Sequence, residues 1–383
     1  MTERLAELMH RATDDLVVPP APSAEVLRHG RALRRRRRYL TASGVTALVL
    51  LTGGIGVAVK TGSDPAGDRR GADPADTTAT PTDGAADGGL RGATFSVGVT
   101  VYYDGGTKHA TIADKAIKSS YYTSAGLLVR HGDNNASDGG GSQRFSLVRP
   151  DGTVSLVSVV TEETVPGVDP SQPYLAYAEV HSGQVQVVVH DVSTDQEVAR
   201  VDLPGHFEWG GWAAPPVALS GDTVYVGTDD VMRTVDWRTG EVGESDVLEP
   251  GFPNVQGGRT VLSKDREATV VDVATGEVLL SLPVGRSSYV TLSPDGRFTT
   301  LSSFDGDSFD VYDVASGTHA TFTGHSFDYG WTPEGDLARL QGHHVQTCST
   351  ATAECTSGTV TIPADGGGVN PKDVRFAGQT YES

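Results

Sequence analysis

One kind of turn returns along this chain at a nearly fixed interval. It reads Pro-Asp-Gly ending at Gly152, Ser-Thr-Asp at Asp195, Arg-Thr-Gly at Gly240, Ala-Thr-Gly at Gly276 and Ala-Ser-Gly at Gly317. Successive intervals are 43, 45, 36 and 41 residues, and Ala-Thr-Ala-Glu at 351–354 fills the next place. Between the turns lie short runs of Val, Thr, Tyr and Phe alternating with period two, the pattern of half-buried strands. The 47 glycines suit so many turns, and a hydrophobic content of 37% suffices for a folded domain.

The clearest unit runs from Ser288 to Gly324. YVTL reads as one strand, SPDG as its turn, RFTTLSSF as a second strand and DGD as a loop. SFDVYDV is then a third strand, ASG a turn and THATFTG a fourth, so four antiparallel strands fill 37 residues with no room for a helix. A period near 40 with four strands per unit predicts propeller blades. A blade is apolar on both faces, so it is stable only between neighbours and the ring must close. Six turns fix six blades, and Phe95–Ile112 joined to Asp373–Gly378 supplies a seventh sheet in which both ends of the region pair. The expected fold is therefore all-β, a seven-bladed β-propeller over residues 94–383, with six and eight blades as the neighbouring counts.

Three stretches carry a resemblance. TFTGH (Thr321 to His325), LSPDGRF (Leu292 to Phe298) and VYDVASG (Val311 to Gly317) resemble the WD-repeat and YVTN-type propellers of bacterial secreted proteins. The resemblance covers about three-quarters of the chain and implies a fold rather than an activity. The Trp-Asp dipeptide that ends the third strand of a WD repeat is absent, with Val-Asp, Tyr-Asp and His-Asp in its place.

One phrase is written twice. GHFEWGGW (Gly205 to Trp212) returns 119 residues later as GHSFDYGW (Gly324 to Trp331), a distance of three blades. By the resemblance, such connections surround the mouth of the central channel. In a structural reading, Gly-His holds the turn and the tryptophan fills space between blades. In a functional reading, His206, Glu208, Trp209 and Trp212 sit across the mouth from His325, Asp328, Tyr329 and Trp331. Acids and aromatics so gathered would stack on and hydrogen-bond a sugar, a peptide or a cationic group.

The chain's net charge is −19, unevenly spread. Residues 1–38 hold nine arginines against five acids, and the remainder is strongly acidic. Nucleic-acid binding needs a basic face on the folded part, so no nucleic-acid partner is expected. Tyr39 to Val59 has no charged side chain and is long enough, at about 1.5 Å per residue, to cross a bilayer as one helix. Arg34, Arg35, Arg36, Arg37 and Arg38 stand just before it and orient the N-terminus to the cytoplasm.

The localisation expected is the cell membrane, single-pass, with the propeller extracytoplasmic. A cleaved twin-arginine signal is the competing reading, but no A-x-A site follows the apolar run. In the cytoplasmic tail, Thr2 caps a first short helix carrying Leu5, Leu8, Met9, Ala12 and Leu16 on one face. Pro19 to Pro22 ends it and Ser23 caps a second. Residues 60–93 are rich in Asp, Ala, Gly, Pro and Thr and read as a disordered linker. Tail, arginines, single span and outer domain together resemble actinobacterial membrane proteins that accompany alternative sigma factors, without the His-x3-Cys-x2-Cys zinc motif of many anti-sigma factors.

Cys348 and Cys355 suit a disulfide across a hairpin, with free thiols and a metal site shared with His343 and His344 as alternatives. Asp305, Asp307 and Asp310 invite a calcium reading, but a solvated turn explains them, and no metal or cofactor is expected. His131 to Ser142 reads as a mobile loop. No G-x-S-x-G, H-E-x-x-H or P-loop occurs, so no catalytic residue is assigned.

The function expected is a non-enzymatic, membrane-anchored propeller that binds an extracytoplasmic protein or small ligand and signals to its tail. Two alternatives stay open: an exported hydrolase or lyase acting on glycans, and a sigma-factor regulator holding a cytosolic partner through residues 1–38.

Overall fold

The computed structural model describes residues 89–134, 141–208, 212–362 and 374–379. The expected tail, the span at 39–59 and most of the linker lie outside them, as do residues 135–140 of the expected loop. Among the described residues no helix is long and apolar enough to cross a membrane.

The strands fall into seven sheets. Blade 1 takes β1 (Phe95–Val97), β2 (Thr100–Tyr103) and β3 (Lys108–Thr111). Blade 2 takes β4 (Ala116–Thr123), β5 (Gly126–Gly132), β6 (Gln143–Val148) and β7 (Val154–Thr161). Blade 3 takes β8 (Gly167–Val168), β9 (Tyr174–His181), β10 (Gln184–Asp191) and β11 (Gln196–Leu203). Blade 4 takes β12 (Val217–Ser220), β13 (Thr223–Gly227), β14 (Met232–Asp236) and β15 (Glu241–Glu244). Blade 5 has β16 (Arg259–Lys264), β17 (Glu267–Asp272) and β18 (Val278–Pro283). Blade 6 has β19 (Ser288–Leu292), β20 (Phe298–Ser303), β21 (Ser308–Asp313) and β22 (His319–Thr323). Blade 7 has β23 (Gly330–Trp331), β24 (Leu337–Gln341), β25 (His344–Cys348) and β26 (Cys355–Thr359).

The last described strand, β27 (Val374–Phe376), returns to blade 1, where the order is β27-β1-β2-β3. Phe376 pairs with Phe95 and Val374 with Val97, antiparallel. Early and late segments thus share one sheet, as the sequence pattern required of a closed ring.

The core is divided rather than central. Leu127 and Val148 of blade 2 pack with Val101 and Tyr103 of blade 1, and Leu147 and Val157 with Leu175 and Val188 of blade 3. Val187 packs with Val224 across blades 3 and 4, and Tyr225 with Val273 across blades 4 and 5. Val270 meets Leu292, Phe309 meets Trp331, and Ala338 meets Phe95 and Phe376, which completes the circuit. Each apolar wedge needs both its blades, which is why no blade is stable alone.

The turns that mark the period have a local cause. Asp236 Oδ1 accepts the backbone N–H groups of Arg238 and Thr239 at 3.0 and 2.9 Å. Asp272 does the same for Ala274 and Thr275 at 3.0 and 2.8 Å, and Asp313 accepts from Ser316 at 2.7 Å. The chain then turns through a left-handed residue, with φ of 75° at Gly240, 73° at Gly276 and 69° at Gly317. The aspartate of the missing Trp-Asp dipeptide therefore serves as an Asx turn. Backbone N–H bonds hold the Asp236 and Asp272 carboxyls below their usual range.

Two details differ from the sequence reading. Blade 5 keeps three strands, its innermost one reduced to a single bridge between Gln256 and Arg259. Pro253 has no N–H to offer a ladder, and Gly257 and Gly258 turn the chain at once with φ of 52° and 74°. Leu90 and Ala93, counted with the linker in the sequence, are buried in the wedges on either side of blade 1.

Cys348 and Cys355 are partners across β25 and β26 and are joined as a disulfide, their Cα atoms 4.0 Å apart. Among the described residues, no group of three or more His, Cys, Asp or Glu side chains is arranged to hold a metal ion.

Candidate functional site

Antiparallel blades sort their links onto two faces. Connections from each outermost strand to the next innermost one share a face with the loops between second and third strands. The described residues of both copies of the repeated phrase lie on this connection face, one copy leading from β11 into β12 and the other from β22 into β23.

The two copies are used differently. In the second, Tyr329 and Trp331 are buried at 4% and 6% exposure in the wedge between blades 6 and 7. Trp331 stacks on Phe298 with ring centres 6.0 Å apart, and its carbonyl accepts the Tyr122 hydroxyl at 2.9 Å. Tyr329 donates its hydroxyl to Thr323 O at 2.9 Å, and burial raises its pKa. His325 and Asp328 are exposed. In the first copy, Trp212 is half-buried against the wedge of blades 3 and 4 and meets Phe252 edge-on at 6.4 Å. His206 and Glu208 pair at 2.7 Å in solvent, and the Glu208 carboxylate holds the imidazole above its usual pKa. Trp209 lies outside the described residues.

What gathers beside the second phrase is a shelf of rings that the sequence did not single out. Tyr289 enters at the start of β19, Phe304 ends the run of β20, and Phe327 sits in a single 3-10 turn, Ser326–Asp328. Tyr289 lies 4.7 Å from Phe327 at 11° and 4.7 Å from Phe304 at 38°. Phe304 is 65% exposed and Phe327 41%. Burying either ring would be worth about 2 kcal/mol, so two such rings together in water make this shelf a candidate contact site.

The shelf is held stiffly. Ser326 Oγ bonds Tyr289 Oη at 3.1 Å and accepts from Ser302 Oγ at 2.8 Å. Gln379 Nε2 donates to the carbonyls of Phe327 and Tyr329, each at 3.2 Å, and Gly324 N to Asp307 O at 2.7 Å. The shelf borders a cleft of about 880 Å³ whose walls include Asn254, Asp328, Arg339, Gln341 and Phe376. The cleft thus draws on blades 5, 6, 7 and 1.

A second constellation looks catalytic and is not open. His131 Nδ1 lies 2.6 Å from Asp114 Oδ2 and its Nε2 is 2.9 Å from Ser146 Oγ, the Asp-His-Ser order of serine hydrolases. Ser146 is 5% exposed, on one of the two inner strands of the order β4-β5-β6-β7. Arg144 clamps the same carboxylate through Nε at 2.8 Å and Nη2 at 2.9 Å. The cluster braces the connection that enters blade 2. His131, read in the sequence as loop, is the buried end of β5.

Seven four-stranded or near-four-stranded sheets, closed by the pairing of β27 with β1, define the chain as a seven-bladed β-propeller. No protein-family model and no curated relative matches it. Among solved structures it is similar to apo AztD from Citrobacter koseri, at 12% identity over 76% of this chain and 99% of that one, with a TM-score of 0.44. It is also similar to the Cps50 (Swd1) β-propeller domain of Myceliophteria thermophila, at 10% identity over 63% and 85%, with a TM-score of 0.38. TolB from Acinetobacter baumannii matches at 14% identity over 74% and 65%, with a TM-score of 0.37.

Proposed function

We propose that this chain is a single-span membrane protein whose propeller stands outside the cell membrane and binds a partner without turning it over. The observation that carries the binding half is the exposed shelf of Phe304 and Phe327 on Tyr289, beside a cleft walled by four blades. Stiff, pre-set apolar surface lowers the ordering cost of association. The anchoring half rests on the uncharged run 39–59 after five arginines, and binding at the cleft is passed to the tail at residues 1–38.

The test is a hydroxyl-radical footprint of the full chain in lipid vesicles, with and without solubilised cell-envelope extract. Protection of Tyr289, Phe304 and Phe327 is the expected result, with the protection of Tyr289 lost in a Phe304→Ala/Phe327→Ala variant. Protection confined to other blades would refute the cleft. Turnover of envelope glycans that disappears in Asp328→Asn would replace binding by catalysis. A cytosolic protein retained by the full chain and lost on deleting residues 1–38 would favour the regulator reading.

A further inference from the structure

The charged side chains among the described residues of the cleft wall are Arg339, Arg375 and Asp328. Two cations against one anion make the wall locally positive, in a chain whose own net charge is −19.

Arg339 is half-buried on β24 and has neutral partners only. Its Nε donates to Gln346 Oε1 at 2.5 Å and its Nη1 to Thr323 O at 3.4 Å, while the guanidinium lies 5.0 Å from the Tyr329 ring centre. Among the described residues it forms no ion pair, and its Nη2 donates no hydrogen bond. A half-buried guanidinium without a counter-charge is an unbalanced group, and its fork of donors matches a carboxylate.

The rest of the wall suits a sugar ring. Asn254 and Gln341 are exposed there, and neither side-chain amide is hydrogen-bonded among the described residues. An amide both donates and accepts, as a sugar hydroxyl does. Tyr289 and Phe327 stack too closely to admit anything between them, so a pyranose face would lie on the exposed parts of Phe304 and Phe327.

An acidic peptide would meet the same arginine, but it would carry its further carboxylates past Asp328 and into the field of an acidic chain. A sugar with a single carboxylate brings one charge for the guanidinium and turns neutral hydroxyls to Asp328 and the amides.

We propose that the cleft takes a saccharide carrying one carboxylate, with the acid on Arg339, a pyranose face on Phe304 and Phe327, and hydroxyls on Asn254, Gln341 and Asp328. Arg375, on β27, adds positive charge from blade 1. The inference rests on the cleft being the binding site.

The probes are cellobiouronic acid, a disaccharide of one neutral and one carboxylate-bearing ring, and neutral cellobiose. Each is titrated by ligand-observed NMR against the full chain in micelles of a detergent without sugar headgroups. The acid should bind about tenfold more tightly than cellobiose, with that preference shrinking as salt rises from 0.05 to 0.5 M. Arg339→Gln should erase the preference, while Phe327→Ala should weaken both sugars about tenfold and Asn254→Ala both about threefold. Comparing two ligands on one protein keeps the result readable if a variant is destabilised. Absence of acid binding, equal Kd for the two sugars, or a preference that survives Arg339→Gln would each overturn the inference. So would a capped Gly-Glu-Gly peptide that displaces the acid at equal concentration, which would make a peptide the occupant. These outcomes remove the acidic sugar and leave the cleft to the envelope footprint. Ring variants that keep Tyr289 protected there would instead remove the cleft itself.

Discussion

Gly330 faces Phe376 so closely that a Cβ on the glycine would lie 2.2 Å from the phenylalanine Cβ and 2.8 Å from its Cγ. The innermost strand of blade 7 therefore meets the closing strand of blade 1 with no space for a side chain. The Gly-Trp pair ending the second repeated phrase has a division of labour: Gly330 admits the neighbouring blade and Trp331 fills the wedge behind.

Gly330→Ala should push β27 outward and destabilise the propeller by about 2 kcal/mol. Gly342, at φ 61°, is the control, because an added methyl there meets nothing and only the backbone penalty of about 1 kcal/mol applies. Urea midpoints of the two variants decide the point, and equal losses would refute steric closure at Gly330.

Phe376 lies 5.8 Å from Phe95 and is buried at 8% exposure. Phe376→Ala should cost about 3 kcal/mol, and deleting residues 372–383 should cost more. A melting temperature untouched by either change would mean that the ring is not sealed there.

Acid should attack the brace at Asp114. The two bonds from Arg144 outweigh burial, and with His131 they hold this carboxyl well below the usual carboxylate range. A depressed pKa gives stability that is complete above about pH 4 and fades as pH falls below it. Asp114→Asn should cost about 3 kcal/mol at pH 7 and flatten the loss below pH 4. Parallel stability curves for variant and parent would contradict this.

The Cys348–Cys355 bond closes a short hairpin at the outer edge of blade 7. Reduction with a phosphine should lower unfolding stability by about 2 kcal/mol. The shift in urea midpoint, absent in a Cys355→Ser variant, measures it.

His206 should titrate above its ordinary value by NMR, because the proton is held by Glu208. In Glu208→Gln it should return towards that value. The raised pKa means the pair contributes below the usual histidine range and is lost as pH rises through the folded value. Identical titrations in both proteins would dissolve the pair.

The ring was legible because its marks are local. A turn that needs an Asp carboxylate and then a left-handed residue restricts the amino acids that can stand there, so Asp236–Gly240 and Asp313–Gly317 announce themselves. The disulfide was legible for the same reason, since hairpin partners are near in sequence. The shelf was not. Phe298 and Phe304 occupy one strand run with the same alternation, yet the first is partly covered by Trp331 of the next blade, while the second meets only Tyr289 and Phe327 and stays 65% exposed. Coverage depends on a blade some 30 residues away, which alternation does not encode. Trp212 and Trp331 make the same point: one phrase, two depths, because the chain from β11 to β12 is longer than that from β22 to β23.

The strand that completes blade 1 is synthesised long after its partner: Ser96 and Arg375, hydrogen-bonded in the finished sheet, stand 279 residues apart. Until that late segment arrives, Phe95 and Tyr102 have no lid on one side, and six finished sectors wait around an unfastened gap. Assembly of this molecule is therefore gated by the most distant pairing among the described strands. A chain stalled before residue 374 would expose a sticky edge to any other chain nearby.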